Sequence, residues 1–575
     1  MGVRQETGRR LDHADRGRGA ASRGWLLVPP TFAGTAVALL FWWWSLDPSL
    51  LPRSWSAQGV VSGLSAAIGY LLGTLAGYVL EAVLRRLGRT PARRARRRAW
   101  LALGVAGAVV VVAGLALWPG WQNQQRDLVD MEHLSPAVLA PMAAVTLVLF
   151  GLLLLAGRLV GHGIALLDRV LSRRLPRLLA HAVTAAVFVV AAVLITRDVA
   201  VDGFLGWANR SFGQVDTTTA PSVVAPATPT ASGSPASLVP WATLGEYGRS
   251  FVAGATTPAE LRAFHGSSAP VVQPIRVYAG LRSAGSADER AALAVRELER
   301  TGAFQREVLG VVTTTGTGWV DPNAASALEY LHRGDTALVG LQYSYLPSWI
   351  SFLVDREEVA AAGTALYRHV HRRWSQLPDA GRPRLVIFGE SLGSYGAEAA
   401  FRGGDAATSL ANLVAGSDGA LFTGPTASNH IWDQFTDDRE PGSPVWRPVY
   451  DGGTKVRFAN RPADLERPDE RWRHPRVLYV HHPSDPVGNA TLEALWERPE
   501  WTDRPQGYDV PARAGWYPIV TGLQEVADLI AGFSAPSGYG HDYGVDFPTG
   551  WAAVVPPAKW TAADTARLQR HLQRE

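Results

Sequence analysis

Twelve residues, Arg384 to Tyr395, constrain the fold of this chain more than any other stretch: R-L-V-I-F-G-E-S-L-G-S-Y. A run of branched apolar residues stops at Gly389, and a helix-compatible stretch opens after Ser391. The order strand, Gly-x-Ser-x-Gly, helix is that of a nucleophile elbow, in which a sharp turn lifts a serine hydroxyl above a sheet edge. Gly389 and Gly393 suit places where neighbouring backbone comes too close for a side chain. The Ser391 hydroxyl then sits at the amino end of a helix, where the dipole favours developing negative charge.

The surrounding pattern alternates between the two periodicities. Apolar runs at 275–279, 308–313, 336–343, 385–388, about 412–415 and 477–481 read as strands. Between them, 286–301, 324–333 and 357–377 read as helices, the first opened by Ser286 with Glu289 three residues on, the pattern of a capping box. Such alternation predicts a mostly parallel sheet with helices on both faces, the α/β-hydrolase plan. That plan uses its catalytic groups in the order serine, acid, histidine. Asp485, in His482-Pro483-Ser484-Asp485-Pro486 after the last strand, is the favoured acid, with Asp418 one strand earlier as its competitor. His541, in the glycine-rich Gly538-Tyr539-Gly540-His541, follows both and is the candidate base. A serine hydroxyl is a poor nucleophile near neutral pH, so it needs an imidazole to take its proton and a carboxylate to orient that imidazole. For the oxyanion, the backbone amide of Leu392 follows the nucleophile, and Thr315 and Gly316 belong to a Thr/Gly loop after an early strand. The segment 422–476, with Trp432, Trp446 and Phe458, is long for a connection and reads as a lid over Ser391.

The first half is of another kind. After an arginine-rich stretch at 1–24, expected to be a disordered cytoplasmic tail, five apolar runs occupy about 25–46, 57–84, 99–118, 137–155 and 178–196. About 20 apolar residues cross the roughly 30 Å core of a bilayer, so the runs read as five transmembrane helices within a membrane domain, 25–212. Trp42, Trp43 and Trp44 mark an interface. Gly63, Gly69, Gly73 and Gly77 offer a face of small residues for helix packing. The connection 85–98 carries eight arginines, and Arg158, Arg169, Arg173, Arg174 and Arg177 cluster around the one after the fourth run. Both belong in the cytoplasm, which sends everything after Arg197 to the outside. The net charge of +4 arises largely from these clusters, so it calls for no nucleic acid partner. No charged pair lies deep within a run, which argues against proton-coupled transport. The Thr/Ser/Pro/Ala-rich stretch 213–240 reads as an extended tether to a catalytic domain over 241–575. With no cysteine, disulfides, thiolate metal sites and a cysteine nucleophile are excluded, and nothing in the sequence calls for a cofactor or metal.

The order of P-S-L-L-P-R at 48–53, T-G-T-G-W-V at 315–320, Q-Y-S-Y-L-P-S-W at 342–349, G-E-S-L-G-S at 389–394, S-D-P at 484–486 and G-H-x-Y at 540–543 resembles the actinobacterial membrane α/β-hydrolase family. The resemblance covers nearly the whole chain. It implies a multi-helix N-terminal membrane domain before a serine-hydrolase fold, and Ser391, Asp485 and His541 match the positions where such families carry their triad. The expected function is that of a membrane-anchored esterase or lipase acting on acyl esters, lipid-borne ones included, at the extracytoplasmic face of the bilayer. An acyltransferase with the same triad and a non-catalytic membrane scaffold are the alternatives.

Overall fold

Seven short runs of β-branched and small apolar residues are buried on both faces, the pattern of a parallel sheet covered by helices. They are β1 Ile275–Ala279, β2 Val308–Thr313, β3 Thr336–Leu341, β4 Arg384–Glu390, β5 Gly419–Thr423, β6 Val456–Ala459 and β7 Arg476–Val480. In the computed structural model, which describes residues 29–89, 92–194, 197, 203–354 and 356–574, they form one sheet in the order β1-β3-β2-β4-β5-β7-β6. All six pairings are parallel. The C-terminal domain thus has the α/β-hydrolase fold, with β4 at its centre. Helix Ala287–Thr301 opens with the expected capping box of Ser286 and Glu289 and ends at Gly302, whose φ of 73° is open to glycine at little cost.

Two readings of this domain need correction. Residues 412–415 are not a strand: they lie in helix Ala406–Gly416, opened by an Asp405 cap, and the strand is β5, a few residues on. So short a stretch, Asn412-Leu413-Val414-Ala415, carries no period of its own, and here the cap decides. The segment 422–476 is not a lid. It contributes β6 to the sheet edge, and Trp432, Phe435 and Phe458 pack with Tyr479 in the core. Its aromatics needed burial, and the edge of the sheet supplied it.

The N-terminal half holds helices α1 Phe32–Ser45, α2 Trp55–Arg86, α3 Arg93–Leu128, α4 Leu139–Leu171, α5 Arg177–Leu194 and α6 Gly203–Val215. Among the described residues three helices are long and apolar enough to cross a membrane, namely α2, α3, and α4 with the short turn before it. α1 has 14 residues, or about 21 Å at the helical rise. Thr31 caps it after Pro29 and Pro30, so the helix occupies only the later part of the apolar run 25–46; the tail 1–24 lies outside the described residues. The glycines of α2 serve two partners rather than one. A Cβ at Gly69 would sit 2.8 Å from the Phe41 side chain of α1, whereas one at Gly63 would sit 3.1 Å from Leu149 of α4.

The two halves are packed together. The loop between α1 and α2 enters the hydrolase domain: Leu50 is fully buried with Trp501, Val510 and Ala514, and its amide donates to Asp528 at 3.0 Å. Asp47 pairs with Arg513 at 3.0 Å and accepts from the Tyr517 hydroxyl. Tyr539 reaches Asp130, beyond α3, at 2.8 Å. The stretch 213–240, expected as an extended tether, is also docked at its ends. Asp216 accepts from Gln342 at 2.9 Å, while Glu297 accepts from Ser237 and from the Leu238 amide at 2.6 and 3.0 Å. Hydrogen bonds to buried carboxylates, with Val239 in the core, offset the entropy that composition alone leaves unopposed.

Candidate active site

β4 delivers Ser391 to the carboxyl edge of the sheet. The residue has φ 54° and ψ −130°, a conformation that side chains other than glycine rarely adopt, and its amide is held by the Thr423 carbonyl at 2.9 Å. The flanking glycines are there for contact. A Cβ at Gly389 would run into the Gly393 carbonyl, and one at Gly393 into the Thr313 carbonyl. Helix Leu392–Ala399 starts directly after the turn, so the Leu392 amide is among those a helix leaves without an internal partner.

Asp485 lies fully buried in the loop after β7. Its Oδ1 accepts from the Val487 amide at 2.8 Å, capping a short helix, and its Oδ2 accepts from His541 Nδ1 and from the Tyr543 hydroxyl, both at 2.7 Å. Burial opposes its charge, but His541, His481 and Tyr543 outweigh burial and hold its pKa below the usual carboxylate range. An ionised carboxylate can only accept, so Nδ1 of His541 must be the donor and Nε2 is left as the basic nitrogen. His541 and Ser391 line the same cavity, of about 690 Å³. Asp418, the competing acid, stands at the opposite edge of the sheet. It precedes β5, and its Oδ2 accepts from the Leu385 amide at the start of β4 at 2.8 Å.

Thr315 lines the cavity, but its amide donates to the Trp319 carbonyl at 3.1 Å within its own turn. The Gly316 amide donates to the Ser348 hydroxyl at 3.3 Å, a long bond to a rotatable group. Of the expected oxyanion donors, the Thr315 amide is therefore committed elsewhere and Gly316 is occupied.

Other groups complete the site. Tyr543, two residues after the histidine, fixes the acid, and burial beside Asp485 pushes its hydroxyl well above the usual tyrosine range. His482 is fully buried and stacks on Tyr543 at 4.3 Å. Its Nε2 faces Asp546 at 3.0 Å and its Nδ1 the Gly540 carbonyl at 2.9 Å. Burial lowers its basicity, but Asp546 and Gly540 prevail and raise it to about 9. Its position beside the favoured acid was a signal in hand. Glu390, the variable residue before the serine, lines the cavity too, and its Oε2 is buried with no partner among the described residues.

The roof of the cavity comes from the chain that leaves the membrane domain. Phe212 and Val215 of α6 line it with Tyr345, Pro347 and Ser348, and Leu346 and Ile350 pack on Ala208. No lining residue comes from 422–476. Among the described residues no group of three or more His, Asp or Glu is placed to hold a metal ion.

Residues 275–568 match the alpha/beta-hydrolase family, and residues 46–255 match the family described as its N-terminus. No curated protein and no solved structure matches the chain. The C-terminal match takes in β1 to β7 together with Ser391, Asp485 and His541, and the N-terminal match begins just before the P-S-L-L-P-R loop that docks on them. By sequence and by fold the chain belongs to the alpha/beta-hydrolase family.

Proposed function

We propose that the protein is a membrane-anchored serine hydrolase that cleaves acyl esters at the extracytoplasmic face. The observation that carries the reading is the Asp485 carboxylate fixed on His541 Nδ1 in a cavity shared with Ser391. In this reading Nε2 of His541 takes the Ser391 proton as Oγ attacks the ester carbonyl. The carbonyl oxygen becomes an oxyanion, stabilised by the Leu392 amide at the start of the helix. Collapse breaks the ester C–O bond, and the alcohol leaves with the proton held on Nε2. Water, deprotonated by the same nitrogen, then releases the acid and restores Ser391.

The side of the membrane follows from charge. The arginine-poor loops before α2 and after α3 touch the hydrolase domain, while the arginine-rich turns lie at the far end of the helices, which supports an extracytoplasmic site.

A fluorophosphonate probe tests the chemistry. It should label the full-length protein and leave Ser391→Ala unlabelled, and His541→Gln should slow labelling and ester turnover by roughly 10⁴-fold or more. Undiminished turnover in folded Ser391→Ala protein would refute the reading.

A further inference from the structure

The lining of the Ser391 cavity is one-sided in charge. Asp216, Glu246, Asp321, Glu390 and Asp542 contribute to it, and no lysine or arginine among the described residues does. Three of these carboxylates have protein partners that account for them. Asp216 faces Arg282 at 3.3 Å. Asp321 caps a helix, accepting from the Asn323 amide at 2.7 Å. Asp542 accepts from Ser537 at 2.8 Å and from the Gly544 amide at 3.1 Å.

Glu390 is different. Its residue is 6% exposed, Oε2 has no partner among the described residues, and it directly precedes the serine. Leaving such a group charged and without a partner is costly. Burial, Asp321, Asp542 and Asp485 all oppose its ionisation, so its charged form is disfavoured unless a positive group enters beside it. Tyr247, Trp319 and Tyr345 line the same cavity, and aromatic surface is a favourable neighbour for a compact cation.

We propose that the Ser391 cavity is a cation-accepting site, taking acyl esters whose acyl or alcohol part bears an ammonium group, with the Glu390 carboxylate as its counter-ion. The inference rests on the serine-hydrolase reading for the word ester, but not for the cation. Anionic substrates are disfavoured by the same lining, because a phosphate or carboxylate would enter among acids with no lysine or arginine to meet it.

The test separates binding from catalysis. Choline and 3,3-dimethylbutan-1-ol are nearly isosteric and differ in charge, and calorimetry on full-length Ser391→Ala protein in lipid nanodiscs measures each. Choline should bind at least tenfold more tightly, and the preference should vanish in Ser391→Ala/Glu390→Gln protein whose circular dichroism is unchanged. If Glu390→Gln does not fold, Glu390→Asp serves instead, and the preference should weaken without disappearing. With active protein, kcat/KM for butyrylcholine should exceed that for 3,3-dimethylbutyl butyrate by a similar factor. Equal affinity for the two alcohols, or a preference untouched by Glu390→Gln, overturns the inference even if the fluorophosphonate labels Ser391. Glu390-dependent choline binding in a protein that the probe never labels would instead sustain the cation site and sink the hydrolase reading.

Discussion

Two carboxylates follow the nucleophile in chain order, Asp418 and Asp485, and their surroundings assign them different work. Asp485 accepts from an imidazole and a phenol inside the cavity wall, whereas Asp418 ties the starts of two strands together at the other end of the sheet. Asp485→Asn should therefore lower kcat by roughly four orders of magnitude, since an amide can favour the wrong tautomer of His541. Asp418→Asn should leave kcat within a few-fold and shift only thermal stability; ester turnover of the two variants side by side checks the ranking. The buried His482 adds a pH dependence. Its folded basicity, about 9, lies above the ordinary value of 6.5, so the pair with Asp546 contributes its full stability below pH 6.5 and loses it as pH rises through 9. The contribution is on the order of 3 kcal/mol. Melting curves of wild type and His482→Gln should differ most near pH 6 and converge above pH 9; a difference that stays constant with pH would dismiss the ion pair. Chain order pointed to Ser391, Asp485 and His541 in the sequence, and the structure sets His541 on Asp485 and in one cavity with Ser391. The amides of Thr315 and Gly316 were not legible in this way, because whether a loop amide is free depends on partners such as Trp319 and Ser348 that the loop's own residues do not announce.

Elements show the same division between local and distant causes. The capped helix Ala287–Thr301 and the strand into the elbow carry their signals in their own residues, and both stand where periodicity puts them. Residues 412–415, the segment 422–476 and the stretch 213–240 were decided by partners elsewhere: an Asp405 cap, an open sheet edge and the Glu297 carboxylate. The loop before α2 is the sharpest case. P-S-L-L-P-R reads as a turn between membrane helices, yet Leu50 fills a pocket of the hydrolase domain. Leu51 borders Gly540, since a Cβ on that glycine would lie 3.3 Å from it, and Gly540 precedes His541. Leu50→Asp would bury an unpaired carboxylate in an apolar pocket and should expel the loop. The expected outcome is a melting temperature lower by several degrees and a kcat reduced at least tenfold, since the His541 loop loses a wall. Ser56→Asp, on the exposed first turn of α2, is the control and should change neither.

At the scale of the molecule, the side on which the hydrolase works does not depend on how α1 enters the membrane. Thr31 at its start meets Tyr70 and Thr74 of α2, well before α2 ends at Arg86, so α1 is the shorter of the pair. The fold of the remaining helices fixes the geometry without it. α2 runs from the docked loop to the first arginine cluster, a path of about 48 Å for 32 residues, and α3 returns to the hydrolase, where Arg513 lies 3.8 Å over the Trp121 ring. If the arginine-rich turns lie in the cytoplasm, as the proposed function has it, the hydrolase domain lies outside. A reporter that fluoresces only in the cytoplasm should stay dark when fused after Glu575. Protease added to spheroplasts should cut within 217–230, which is largely exposed. The severed domain should nonetheless remain with the membrane fraction, because Asp47, Leu50 and Asp130 still bind it to the helices. In the Leu50→Asp protein the same cut should release it into the supernatant. Sedimentation after proteolysis reads both outcomes. A soluble fragment from the unaltered protein would mean that docking is too weak to matter, and cleavage only in inverted vesicles would place the hydrolase on the arginine side.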